Sequence, residues 1–160
     1  MMNKKVITLL VFLSYYLSLV SCSQAQSLTF VEYNVENLFD YFDDEGKDDQ
    51  DFLPEATRHW TKKRYWKKLD QTGKAILSTS DDAIPDLVAL CEVENHQVLH
   101  DLTKRSLLRQ AGYEYVMTES PDARGVDVAL MYSPFSFSLI RSYGLRVQTV
   151  EGMRPTRDIL

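Results

Sequence analysis

Two polar clusters, each closing an apolar run, constrain this chain more than any other feature: Tyr33-Asn34-Val35-Glu36-Asn37-Leu38 and Leu90-Cys91-Glu92-Val93-Glu94-Asn95. Leu28 to Val35 is rich in β-branched and aromatic residues, and Asp86 to Glu92 is a short apolar run opened by Pro85, so both read as strands. Thr61 to Ser80 reads as a helix between them. A strand, helix and strand of this length favour a right-handed crossover with the strands parallel, which brings both carboxyl ends to one edge of the sheet. Asn34 and Glu92 then become neighbours. Open α/β sheets bind ligands at that edge, so an amide converging there with a carboxylate points to a cation and an anionic substrate.

A strand-ending acid or amide also serves as a turn former or helix cap, and for Asn34 taken alone that is the simpler reading. Glu92 is harder to explain this way. It closes the run Leu87-Val88-Ala89-Leu90-Cys91, where a charge is costly without a partner.

The segment after the first cluster is strongly acidic. From Asp40 to Glu55 there are eight acids and one lysine, with Gly46 and Pro54, the composition of a solvated loop. An EF-hand calcium loop fails on spacing: with Gly46 in its sixth position, the first and twelfth fall on Tyr41 and Phe52. Such a loop beside a site can act as a rim that screens substrates by charge. The sign then reverses, as Arg58, Lys62, Lys63, Arg64, Lys67 and Lys68 follow without an intervening acid, interleaved with His59, Trp60, Tyr65 and Trp66. Thr61 is the expected N-cap, and Trp66, Leu69, Gly73, Ile76 and Leu77 form the stripe expected to dock on the sheet, with Lys63, Lys67 and Lys74 pointing away. The basic residues read either as a surface for a nucleic acid or phosphorylated ligand, or as a solvated face of snorkelling lysines over core aromatics; the second is the simpler.

A second helix is expected from Asn95 to Ala111, stopped by Gly112. His96 lies near the site by connectivity, but neither His96 nor His100 has a partner evident in sequence. Tyr113 to Thr118 and Val126 to Tyr132 read as strands joined by Ser120-Pro121-Asp122-Ala123-Arg124-Gly125. Phe135 to Tyr143 and Leu145 to Val150 read as two more. Arg124 could meet a substrate phosphate through its planar fork. Asp127, among apolar neighbours, needs a partner, and Arg124, Arg154 or Arg157 would serve in a structural ion pair.

The segments Tyr33 to Asp40, Pro85 to Asn95, Arg124 to Pro134 and Arg154 to Leu160 resemble, in order and spacing, the endonuclease/exonuclease/phosphatase family, the deoxyribonuclease-I-like superfamily of metal-dependent phosphohydrolases. The resemblance implies that Asn34 helps organise the phosphate and metal site and that Glu92 is a ligand to Mg2+, or to Mn2+ in its place. Many relatives carry glutamine before that glutamate, where this chain has Cys91. The family's second half supplies an Asp-x-Asn segment and a terminal Asp-His pair. This chain has only His59, His96 and His100, each preceded by Arg, Asn or Leu. The expectation is therefore the amino-terminal half of a larger enzyme, inactive alone.

At 160 residues, 44% hydrophobic and 26% charged, the composition is that of an ordinary globular piece. A formal charge of −5 argues against coating nucleic acid by charge alone. Asn3-Lys4-Lys5 followed by the apolar Val6 to Val20, shorter than the roughly 20 residues that span a bilayer, reads as a signal peptide over 1–21. Leu19-Val20-Ser21-Cys22 resembles the lipobox of bacterial lipoproteins, making Cys22 the lipidated residue and 22–27 a short tether to the domain at 28–160. The alternative is cleavage after Ser23-Gln24-Ala25 and release of a soluble secreted or periplasmic protein. Only Cys91 then remains as a thiol, most simply a small buried apolar residue.

The resulting expectation is an α/β fold, the amino-terminal half of a four-layer α/β/β/α sandwich. Its function would be Mg2+-dependent hydrolysis of a phosphate ester, on nucleic acid or a small phosphorylated molecule, in a lipid-anchored protein of the bacterial cell envelope. The alternative is a surface-anchored binding or structural remnant of the same fold. No protein partner is implied.

Overall fold

The computed structural model describes residues 27–79 and 83–160. The expected leader at 1–21 and Cys22 lie outside the described residues. Four strands, β1 (Phe30–Leu38), β2 (Leu87–Val93), β3 (Glu114–Met117) and β4 (Asp127–Tyr132), form one sheet in the order β1-β2-β4-β3. β1 and β2 are parallel, in register from Phe30 opposite Leu87 to Asn34 opposite Cys91. β4 runs antiparallel to both β2 and β3. The parallel pair expected from the crossover is therefore present, and it places Asn34 and Glu92 at the same end of adjacent strands.

The crossover helix α1 (Lys62–Leu77) begins just after Thr61, whose side chain makes no capping hydrogen bond. It buries Tyr65, Leu69, Thr72, Gly73 and Ile76. Leu69, Gly73 and Ile76 of the expected stripe are buried, while Tyr65 and Thr72 are buried in place of Trp66 and Leu77, which are half-buried against the core. The Tyr65 hydroxyl donates to Asp101 Oδ2 at 2.9 Å, which satisfies its polar tip. Trp66 lies half-buried, edge-on to Tyr65 and beneath the Arg105 guanidinium. Lys63, Lys67 and Lys74 are exposed, as expected.

The long second helix does not form as one piece. A short helix α2 (His96–His100), capped by the Asn95 side chain, runs into a π-helical turn at Asp101–Arg105 and then a 3-10 turn at Leu107–Gln110. Ser106 causes the break: its backbone is extended and its side chain accepts from Leu108 N, so it caps a new start instead of continuing the old helix. Gly112, at φ +70°, ends the segment where expected.

α1, α2 and the two turns cover one sheet face, where Val35, Val88, Leu90, Ala129 and Met131 meet Leu69, Ile76, Leu99, Leu102 and Tyr113. The opposite face, carrying Leu87, Ala89 and Cys91 of β2, is only half-buried. Cys91 is thus a half-exposed free thiol rather than a core residue. Beyond β4 the expected strands at Phe135 to Tyr143 and Leu145 to Val150 are absent. Ser136 N and Phe137 N both bond back to Ser133 O, which turns the chain away, and residues 139–160 make only the single bridge Leu145 to Ile159. β4 is already paired on both sides, and Phe135 and Ile140 stay 92% and 94% exposed. The described residues therefore form a mixed α/β unit with one sheet, and the second sheet of a four-layer sandwich is not among them.

Candidate active site

Both strands of the parallel pair, β1 and β2, break their regular backbone at the shared end. Glu36, Asn37 and Glu92 have φ of +54°, +63° and +67°, and the β1–β2 register shifts between Asn34 and Leu38. A left-handed conformation costs a residue with a Cβ about 1–2 kcal/mol, so three of them clustered at one end mark a place where geometry is held against local preference. Asn34 Oδ1 accepts from Glu36 N at 2.9 Å, an Asx-type turn that starts the excursion. The simple turn-forming role and the proximity to Glu92 therefore both apply to Asn34.

The excursion turns Asn37 N toward Glu92, whose Oε2 accepts it at 3.1 Å. Glu92 Oε1 lies 3.6 Å from Arg157 Nη1, an ion pair whose side chains are 15% and 28% exposed. Arg157 Nη1 is buried with no hydrogen-bond partner beyond this ion pair. Lys68 approaches from α1 and donates to Glu36 O at 3.0 Å. Burial lowers its pKa, partly opposed by the charges of Glu36 and Glu92. Glu92 thus sits among cationic groups from two different segments.

Arg124 lies on the β3–β4 turn, and its fork is already engaged. Its Nε and Nη2 donate to Asp122 at 3.0 and 2.7 Å. Burial works against the Asp122 charge, but these bonds outweigh it and hold the carboxyl below its usual range. Arg124 still lines a cavity of about 270 Å3 together with Asn37, Phe39 and Arg58, which brings it beside the strand ends. Asp127 has no arginine partner. The expected ion pair is replaced by hydrogen bonds from Thr118 Oγ1 at 2.6 Å and Ser120 N at 2.9 Å, both on the segment leading out of β3. His96 pairs loosely with Glu119 and His100 with Asp101, and no described histidine bonds to Asn34 or Glu92.

Sequence reasoning missed a second acidic group. Carboxylate oxygens of Asp44, Asp49 and Glu94 lie within 4.8 Å of one another, with Asp49 and Glu94 buried. Asp40 joins them: its N donates to Glu94 Oε2 at 2.7 Å, and its own Oδ1 accepts from Phe42 N. Burial, reinforced by Asp40, Asp44 and Asp49, pushes the Glu94 carboxyl up to about 8 despite the bond from Asp40 N. The acidic loop is thus folded back onto the end of β2 rather than solvated throughout. The density of acids between Asp40 and Glu55, with Glu94 one strand period after Glu92, was the available signal.

Glu92 fits a hard divalent cation in its donor chemistry, since Mg2+ takes oxygen ligands, keeps several waters and needs only one or two carboxylates. The Asp44, Asp49 and Glu94 group has the same all-oxygen character. Polar groups converging at parallel strand ends are the arrangement at which open α/β sheets bind ligands. The chain belongs to the endonuclease/exonuclease/phosphatase family, whose family model matches residues 29–160. Membership points to phosphoester hydrolysis, for which divalent metals are the common cofactors. No curated protein and no solved structure matches the chain.

Proposed function

We propose that residues 28–160 supply the metal-holding and phosphate-orienting side of a phosphoester hydrolase, with Glu92 as ligand to Mg2+ or Mn2+. The observation that carries this reading is the Glu92 carboxylate at the end of a parallel strand pair, flanked by the Asn37 amide and the Arg157 guanidinium. A divalent ion bound there supplies Lewis-acid polarisation of a phosphoryl oxygen. Arg157 and Arg124 would hold the remaining phosphoryl oxygens by charge-assisted bonds, and Asn34 would orient the phosphate or a water beside it. Lys68 adds positive potential where negative charge accumulates. Activation of the attacking water would fall to groups of the Asp-x-Asn and Asp-His kind, which residues 28–160 do not contain. The second sheet of the sandwich would cover the half-buried face. At the amino terminus, we propose a signal peptide with lipidation at Cys22 and anchoring to the cell envelope, with release after Ala25 as the alternative.

The test is hydrolysis of a chromogenic phosphodiester and phosphomonoester by the complete gene product. Glu92→Gln should lower turnover by orders of magnitude with folding intact, and Asn34→Ala should lower it less. The absence of any histidine bonded to Glu92 or Asn34 favours a second reading, a surface-anchored binding module. Turnover equal to background in the wild-type product, with phosphate ligands still bound, would select it.

A further inference from the structure

Beside the strand ends lies an open cavity of about 550 Å3 lined by Arg58, Trp60, Arg64, Lys67, Lys68 and Gln71 among others. Its cations are not neutralised from within. Arg64 bonds only to the carbonyls of Arg58 and His59, and Lys68 to that of Glu36. Lys67 makes no ion pair among the described residues, and Arg58 reaches only Asp51, at 3.7 Å between exposed side chains. In a chain of net charge −5, this concentration of unopposed positive charge is local. It is also placed against intrinsic preference. Lys62, Lys63 and Arg64 occupy the first turn of α1, which has no acid, although the positive end of a helix dipole disfavours cations there. The same dipole adds to the attraction for an anion.

The aromatic wall is already committed. Phe52 stacks on Phe39 at 4.2 Å with the Arg58 guanidinium 4.9 Å over its ring, and Trp60 Nε1 donates to Phe39 O at 3.0 Å. These contacts fix the wall and favour recognition by charge over stacking. Phe52 and Arg58 also line the smaller cavity that holds Asn37 and Arg124, and Lys68 bonds to Glu36 at the left-handed break, so the cavity and the Glu92 site are contiguous.

We infer that this cavity is a second phosphate subsite, which takes a phosphate remote from the scissile one and so selects substrates carrying at least two phosphates over simple phosphomonoesters. The assignment of the scissile end rests on the reading of Glu92 above. The cavity's affinity for phosphate does not.

The experiment is binding to the full chain in EDTA, where hydrolysis is suppressed, by calorimetry and fluorescence anisotropy. The probes are inorganic phosphate, a hexose monophosphate, a hexose bisphosphate and a labelled hexathymidylate. A further phosphate should tighten binding tenfold or more over the monophosphate. If the hexathymidylate alone gains, the second phosphate is the next one along a nucleic acid strand; if the bisphosphate alone gains, it belongs to a small molecule. Lys67→Glu should weaken the gaining probe at least fivefold, and Arg64→Glu should do likewise. Lys67 makes no internal contact, so its variant should stay folded. Lys74→Glu, exposed at the other end of α1 and outside the cavity, should change binding less than twofold. For a gaining hexathymidylate, Lys67→Glu should also flatten the salt dependence by about 0.7 or more in log–log slope. No gain from a second phosphate, or equal losses from Lys67→Glu and Lys74→Glu, would overturn the inference. Unchanged hydrolysis in Glu92→Gln would overturn the proposed function and leave this binding result standing.

Discussion

Asp127→Ala is expected to destabilise the fold substantially while leaving the chemistry of the site alone. The carboxylate is 6% exposed and accepts from Thr118 Oγ1 and Ser120 N, which pin the end of β3 to the start of β4. Truncation strands the Ser120 amide and leaves the Thr118 hydroxyl only its longer bond to Val128 O at 3.4 Å. Leaving a buried donor unsatisfied costs about 1–3 kcal/mol and weakening the second donor's bond adds about 1 kcal/mol, so the change should cost roughly 2–4 kcal/mol, a large fraction of an ordinary domain's stability. Asp127→Asn keeps an acceptor oxygen and loses only the charge assistance, for a cost of about 1 kcal/mol. Thr118→Val removes one of the two donors, and combined with Asp127→Ala it should be less than additive by about 1 kcal/mol, because both changes break the same bond. Urea denaturation followed by the fluorescence of Trp60 and Trp66 measures all four variants. A loss below 0.5 kcal/mol for Asp127→Ala, or a selective loss of turnover in stably folded protein, would refute this structural role.

The remaining predictions concern charge and export. Glu94 has its folded pKa raised from 4.5 to about 8, chiefly by burial, so the native state holds its proton more tightly than the unfolded chain between those values. That contribution to stability is fully present below pH 4.5 and is lost as pH rises through about 8, with a slope of at most about 1.4 kcal/mol per pH unit. Glu94→Gln should flatten the stability profile across this window, and an unchanged profile would contradict the burial argument. At the amino terminus, labelled fatty acid should enter the expressed protein and Cys22→Ala should abolish the label. Soluble wild-type protein cleaved after Ala25 would count against the anchor.

Where local pattern and global packing agreed, the fold was legible in the sequence. The strands around Asn34 and Glu92 and the helix between them follow from alternation, helical period and the parallel crossover, and those elements alone bring the two residues to one edge. Failures arose where a tertiary partner decided the outcome. Tyr65 displaced Trp66 from the core because Asp101, 36 residues away, could accept its hydroxyl. Asp127 found Thr118 and Ser120 instead of an arginine, a choice set by strand register. Phe135 to Tyr143 has the alternation of a strand, yet the turn onto Ser133 O leads the chain away from the end of β4, and alternation says nothing about whether a strand edge is reached. The carboxylate group around Glu94 was hidden for a related reason: Asp40, Asp44 and Asp49 reach it only because the acidic loop folds back onto the end of β2, which composition does not show. Ser106, by contrast, was a readable cap within the expected helix.

The central claim is that Glu92 holds the divalent ion. Titrating Mn2+ into the full chain by electron paramagnetic resonance, for wild type, Glu92→Gln and Glu94→Gln, tests it without requiring turnover. The account predicts that Glu92→Gln weakens binding at least tenfold, since it removes the carboxylate proposed as the ligand, while Glu94→Gln has the smaller effect. Undiminished affinity in Glu92→Gln, with binding lost in Glu94→Gln, would contradict it and move the metal to the Asp44, Asp49 and Glu94 group.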